Sequence, residues 1–461
     1  MGTTEQIAQF TVKTDYSGIP ADAVKLAKDA VLDALGVTLA GSIEPASKII
    51  SQYVREMGGT AQAGVIGNGF KSTAPLAALA NGTMAHALDY DDVLSIMSGH
   101  PSVPVLPAVL ALGEMLHCSG KDVLEAYIVG VEVEARIGSG IGSHHYAVGW
   151  HPTATLGTLG AAASAAKMLG LNVTETRITL GVAASESSGL RQNFGTMTKP
   201  FHAGNAAMNG IIAAMLAQKG FTADESILEN PFGFCPVLGG EGEYDLTMMT
   251  KSLGDPFAIV NPGLDIKPYP CCRFTHRCID AILQIVEEYH PAVDEVAEVE
   301  CSTSSFVPRI VIHHRPSTPL EGKFSMEYCM ARALLDGEIR MAQFTEDKVL
   351  DPTAQELLER VKYAHPERME GQRMPEIVTV KLRDGRQYTH EVLVPKGAPA
   401  NPLTEKELIE KYRDCAGIVL SPELIERSLE LVSRLEEIED ITELTDLLTI
   451  KTRHNHVNLR K

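Results

Sequence analysis

From about residue 20 to residue 220, apolar side chains recur at three- and four-residue spacing, the repeat that lays one apolar face along an α-helix. Val24, Ala27, Val31, Ala34 and Leu35 form one such stripe, and the spacing predicts a helix opened near Pro20 and stopped at Gly41. Residues 155–169 and 206–218 are so rich in Ala and Gly that their backbones can approach closely, as buried helices packed on helices require. After Pro262 the pattern changes. Residues 293–302 and 377–394 are rich in β-branched side chains, and Val378, Val380 and Leu382 alternate with polar positions ahead of Asp384-Gly385. That dipeptide tolerates positive φ, so the second stretch is expected to fold as a hairpin. A Pro/Gly/Ala stretch at 395–402 reads as a linker. Helix returns at Thr404, which forms a capping box with Glu407, and at Ser421-Pro422 as cap and first helical residue.

These elements predict a mainly α protein: a discontinuous all-helical domain, residues 1–264 and 399–461, with a smaller α+β lid domain, residues 265–398, inserted into it. A chain of 461 residues exceeds one ordinary core, which agrees with two domains. The last 60 residues are too short and too charged to stand alone, so they are expected to pack on the N-terminal helices. Neither an internal repeat nor a low-complexity segment is present.

Charge narrows the partners. Against 59 Asp and Glu stand 40 Lys and Arg, a formal net charge of -19, which disfavours non-specific binding to nucleic acid or to an anionic membrane. The longest apolar stretch, residues 103–116, is interrupted by Pro104, Pro107 and Glu114 and falls short of the roughly 20 apolar residues of a membrane span. The eight cysteines contain no CxxC pair, a signal peptide is not apparent, and Gln6 stands where a myristoylation signal needs Ser or Thr. A soluble cytoplasmic protein with reduced thiols is the expectation.

Within this acidic chain, His, Lys and Arg gather in short loops punctuated by proline: His100-Pro101, His151-Pro152, Lys199-Pro200 with His202, and residues 267–276. Proline disfavours helical φ/ψ in the residue before it, so these groups are expected at helix ends, where side chains can converge on a pocket. Asp89, Asp91 and Asp92 precede His100 closely, and a carboxylate beside an imidazole fixes its tautomer for acid–base work. The same aspartates can instead cap a helix, or ligate a hard divalent ion, although no HExxH, Cys/His pair or EF-hand spacing accompanies them. His144 and His145 read as surface loop residues, and Trp150 as a wall that shields His151 from water. Lys199 and Arg273 suit substrate carboxylates, Arg273 bidentately. Cys272 beside His276 reads as a packed thiol rather than a nucleophile. Residues 138–143, GSGIGS, follow a helical pattern rather than a strand, and no GxSxG elbow occurs, so hydride transfer and serine hydrolysis lack their markers.

In these loops the chain resembles the MmgE/PrpD family, which includes 2-methylcitrate dehydratase, cis-aconitate decarboxylase and iminodisuccinate epimerase. The stretches that carry the resemblance are AHALDYDD (85–92), GHPSVPVLPAVLALGE (99–114), GWHPTATLG (149–157), TKPFHAGNAAMNG (198–210), KPYPCCRFTH (267–276) and KFSMEYCMARALLDG (323–337). The resemblance implies a helical domain built from both chain ends, an α+β lid, a homodimer and no cofactor or metal. It places Asp89, His100, His151, Lys199 and Lys267 in the active site. Val93 stands where the decarboxylase pattern has Thr, Cys272 stands where it has His, and one extra residue precedes His100.

The expected chemistry is that of a cofactor-independent lyase acting on a small di- or tricarboxylate, with loss of water favoured over loss of carbon dioxide. Lys267, Arg273 and Lys199 hold carboxylates, with His202, Cys272 and His276 beside the substrate, and His100 and His151 move protons while Asp89 orients an imidazole. An epimerase and a non-catalytic carboxylate-binding protein are the alternatives.

Overall fold

The computed structural model describes residues 1–365 and 374–450. They form a mainly helical protein in two compact units: Met1–Asn193, Met197–Ile266 and the stretch from Thr404 onward make the first, and Phe194–Thr196 with Lys267–Leu403 make the second.

The first unit opens with ten helices: α1 (Thr3–Lys13), α2 (Ala21–Gly41), α3 (Pro45–Met57), α4 (Ala74–His86), α5 (Ser102–Leu116), α6 (Gly120–Ile141), α7 (Ser143–Ala147), α8 (Pro152–Met168), α9 (Val173–Glu186) and α10 (Thr198–Gln218). The stripe on α2 is buried as its spacing requires, with Ala27, Val31 and Leu35 almost fully covered. The small residues of α4, α8 and α10 let their backbones meet: a Cβ added to Gly204 would lie 2.1 Å from the carbonyl oxygen of Leu79, and one on Gly82 would lie 2.7 Å from the Cα of Gly204. Larger side chains fill the gaps between, and fully buried Leu156 and Leu159 on α8 each contribute about 1.5–3 kcal/mol.

This unit is not all-helical. Strands β1 (Ala63–Val65) and β2 (Phe70–Ser72) pair antiparallel. Each is three residues long, too short for a period-two pattern to register. The turn between them uses positive φ at Gly67 and Gly69, and Glu114 from α5 accepts the Gly64 N–H at 3.0 Å and pairs with Lys71 at 3.1 Å.

In the second unit β3 (Val296–Ser302), β4 (Val361–Ala364), β5 (Glu376–Leu382) and β6 (Gln387–Val392) form one sheet in the order β4-β3-β5-β6. The β3–β4 pair is parallel and the others are antiparallel. Val378, Val380 and Leu382 all point inward, and the turn after them has Gly385 at φ 91°, so the hairpin forms as its alternation and its Asp-Gly dipeptide dictate. The helices here are α11 (His276–Tyr289), α12 (Pro319–Gly322), α13 (Met326–Asp336), α14 (Glu346–Val349) and α15 (Pro352–Leu358), with α11 packed on β5, β6 and α13.

The chain then rejoins the first unit through α16 (Glu405–Ala416), α17 (Pro422–Ser433) and α18 (Thr442–Leu448). Thr404 and Glu407 make the reciprocal capping box, at 3.3 and 2.7 Å. Helix α16 lies on α2, where buried Lys411 pairs with Asp33 at 2.5 Å, donates to the carbonyl of Tyr90 at 2.9 Å and sits 3.8 Å from the centre of the Tyr90 ring. Among the described residues no helix is long and apolar enough to cross a membrane, and no cysteine is in a disulfide.

Candidate active site

Three helices of the first unit begin at one cluster of side chains, and a fourth ends there. His100 lies two residues ahead of α5, His151 is the N-cap of α8, and Lys199 is the second residue of α10, while His86 is the last residue of α4. Helix starts carry unpaired N–H groups and the positive pole of the helix dipole, so this arrangement favours an anion. Lys199 departs from the loop expected of a residue before proline, since it is already helical. Pro200 falls in the first turn of α10, where a missing N–H costs no hydrogen bond and no preceding turn exists to clash with.

The cluster is closely knit. Lys199 Nζ donates to Asp89 Oδ1 at 2.9 Å and lies 2.7 Å from His86 Nε2. Asp89 reaches that position with φ 51°, a left-handed conformation that Asp tolerates better than most residues. Because an ammonium can only donate, His86 Nε2 accepts, and the ring proton sits on Nδ1, which donates to Asp91 at 3.0 Å. Burial first, and then the Lys199 charge, push His86 down to about 3, so its imidazole is neutral. His100 brings Nδ1 to 2.8 Å from Asp91 Oδ2 and Nε2 to 3.6 Å from Asp89 Oδ1. Burial alone would raise Asp91, but His100 and His86 together hold it well below the usual carboxylate range.

Behind His86, at 5.9 Å between ring centres, lies His151, whose Nδ1 is 3.0 Å from Nδ1 of His202. One imidazole must donate to the other. Burial, followed by the charge of Lys199, lowers both, His202 to about 4, so this pair is neutral as well.

The other candidates of the first unit have structural roles. His145 corrects the surface reading: it lies in α7, is buried, and reaches the Leu238 carbonyl at 3.0 Å and Thr155 Oγ1 at 2.8 Å, while burial lowers it to about 4. Trp150 stacks on this ring, 6.3 Å away and 14° from parallel. Asp92 turns from the cluster to α5, accepting from Ser102 N at 3.3 Å and meeting Ser102 Oγ at 2.6 Å.

Lys267, Arg273, Cys272 and His276 belong to the second unit. Lys267 is fully buried in irregular backbone, away from any helix end, and donates to the Cys271 carbonyl at 3.2 Å. Arg273 Nη1 lies 3.1 Å from His276 Nδ1, and His276 Nε2 lies 3.2 Å from the Cys271 carbonyl, so this imidazole is engaged by neighbours other than the Cys272 thiol. Cys272 is buried and its N–H donates to the Lys323 carbonyl.

The structure therefore joins Asp89, His100, His151, Lys199 and His202 in one network. It adds His86, whose signal was a single His among small apolar residues, and gives Asp91 the central contact. His86, Asp89, Asp91 and His100 also offer donor atoms within 4.8 Å of one another, a spacing a metal ion could use. Lys199 already delivers a positive charge to two of those four donors, so the set fits a divalent ion poorly.

Fold and site together define a two-unit, mainly helical protein with a buried imidazole, carboxylate and lysine centre set on helix starts. The chain belongs to the MmgE/PrpD family: residues 5–247 match the MmgE/PrpD N-terminal domain and residues 269–437 the MmgE/PrpD C-terminal domain. It is 30% identical over 452 residues to cis-aconitate decarboxylase of Homo sapiens, covering 92% of this chain and 90% of the relative. It is also 30% identical over 476 residues to cis-aconitate decarboxylase of Aspergillus terreus strain NIH 2624, covering 97% and 96%. A cis-aconitate decarboxylase-like protein, oryM, of Aspergillus oryzae is 27% identical over 470 residues, with 97% of each covered.

Proposed function

We propose that this protein is a cofactor-independent lyase acting on a small di- or tricarboxylate of the citrate or aconitate type, by proton transfer at a carbon next to a carboxylate. The observation that carries the reading is the convergence of three helix starts and Lys199 on neutral, buried imidazoles. The positive poles and the ammonium attract carboxylates and stabilise the enediolate charge that develops. Neutral imidazoles can accept the proton that leaves carbon. In this reading His100 and His151 exchange protons with substrate, Asp89 holds Lys199, and Asp91 orients His86 and His100. Lys267 and Arg273 serve as further cations, with His202, Cys272 and His276 as substrate neighbours.

Loss of water is the favoured outcome because Cys272 and Val93 replace residues of the decarboxylase pattern. Decarboxylation is the second reading, supported by the names of the relatives, which share this chain nearly end to end. The proposal includes a homodimer in the cytoplasm, as the family resemblance implies, and light scattering of the purified protein tests the dimer. Incubation with citrate, 2-methylcitrate, cis-aconitate and iminodisuccinate in deuterated water, followed by proton NMR, tests the chemistry. New alkene signals from a hydroxy acid support dehydration, a product one carboxylate shorter supports decarboxylation, and label uptake without loss of any group supports epimerisation. No change in any of the four overturns the lyase.

A further inference from the structure

We propose that Asp92 is a positioning residue: through a carboxyl–hydroxyl chain with Ser102 and Tyr127 it pins the 89–92 loop to the start of α5 and thereby fixes the Asp91–His100 pair.

Two ties close this stretch of chain side by side. Asp91 meets His100 at 2.8 Å, and the next residue, Asp92, meets Ser102 through both the backbone N–H and the hydroxyl. The Ser102 hydroxyl continues to the Tyr127 hydroxyl at 2.5 Å, and all three side chains are buried. Tyr127 stands on the long helix α6, so the chain of bonds ends on rigid scaffold. The second tie touches no reacting group. Its effect on chemistry runs through the first, because moving Asp92 moves the backbone of Asp91, and moving Ser102 moves His100 two residues before it.

The charges around Asp92 favour its neutral form. Facing it are Asp91 from its own loop, Asp33 from α2, Ser102 from α5, and Tyr127 and Glu134 from α6, while Lys411 from α16 is paired with Asp33. Burial, followed by the charges of Asp33 and Asp91 against the bonds from Ser102, raises Asp92 to about 8. One oxygen of Asp92 accepts the Ser102 N–H and the other accepts the Ser102 hydroxyl. A carboxamide keeps both contacts, its oxygen accepting the Ser102 N–H and its NH2 donating to Ser102 Oγ, which then donates to Tyr127, whereas a methyl group keeps neither.

The test compares Asp92→Ala with Asp92→Asn by two readouts, and it rests on the proposed lyase reading only for the first. With whichever substrate is turned over, Asp92→Ala is expected to lower kcat about 100-fold with KM little changed, the loss expected when a reacting group moves by about 1 Å. Asp92→Asn is expected to restore most of it. Equal kcat in the two variants, or wild-type kcat in both, overturns the inference. The second readout is the imidazole nitrogen NMR spectrum of folded protein labelled at histidine, which needs no substrate. The signals of His86 and His100, assigned by His→Gln variants, are expected to shift in Asp92→Ala and to stay in place in Asp92→Asn. Unshifted signals in Asp92→Ala overturn the inference even if no substrate is ever found. Should Asp92→Ala not fold, Ser102→Ala removes only the hydroxyl link and is judged by the same shift and the same fall in kcat.

Discussion

Lys199 is held by two partners of different kind, and both bonds matter to the chemistry. Its ammonium fixes the proton of His86 on Nδ1, and that proton in turn points at Asp91, which faces His100. Lys199→Met keeps most of the aliphatic stem and deletes the charge. It is expected to lower kcat/KM by at least about 100-fold, the lower bound for loss of a positioned acid–base or charge-stabilising group. An active Lys199→Met enzyme, measured with the substrate found by NMR, would remove Lys199 from the mechanism. Several members of this network were visible in the sequence because proline or a run of aspartates sets them off. His86 was not, since a lone His in the segment Met84-Ala85-His86-Ala87 looks like any core residue until the fold brings a lysine from 113 positions away. His145 misled in the opposite sense, because its place in the sequence reads as a surface loop, whereas it lies buried in α7 and is bonded to Leu238 and Thr155.

At the level of elements, the crossing of α4 and α10 decides whether His86 and Lys199 meet. Gly82 lies one turn before His86 and Gly204 little more than one turn after Lys199, and the two helices touch backbone to backbone there. Gly204→Ala would place a methyl 2.1 Å from the Leu79 carbonyl oxygen and 2.5 Å from Thr83 Oγ1, so the helices must separate. The expected cost is about 3 kcal/mol of stability, read as a lower urea midpoint, together with loss of activity in the protein that still folds. An unchanged midpoint would mean that the crossing tolerates the wider spacing. The sequence announced these helices through their small residues, as it announced α2 by its stripe and the β5–β6 hairpin by alternation and Asp-Gly. It concealed β1 and β2 because three-residue strands held by Glu114 and glycine turns have no periodicity to read.

For the molecule as a whole, each buried imidazole makes its own contribution to how stability changes with pH. His86, His145 and His202 are lowered to about 3, 4 and 4, in each case by burial first, so they stay neutral in the fold at pH values where an unfolded chain would protonate them. At these three sites unfolding between about pH 4 and pH 6.5 takes up protons, so each imidazole contributes a stability that falls by about 1.4 kcal/mol per pH unit as pH drops through that window, while Asp92 and Glu376, raised by burial to about 8 and 7, contribute with the opposite sign. Urea midpoints at pH 7 and pH 5 measure the slope. His145→Gln, remote from Lys199, should change the slope by one imidazole's share, and a slope left unchanged by that substitution would contradict neutral burial of His145.

Lys411 lies 321 positions after Tyr90, yet it grips the carbonyl of Tyr90, between Asp89 and Asp91. On the ribosome, residues 89–92 are made early and must wait through more than three hundred further peptide bonds for that anchor. A nascent chain released before Lys411 emerges carries every imidazole of the network and still lacks the contact that holds its aspartates in register. The aspartate loop thus gains this anchor only once α16 has been made.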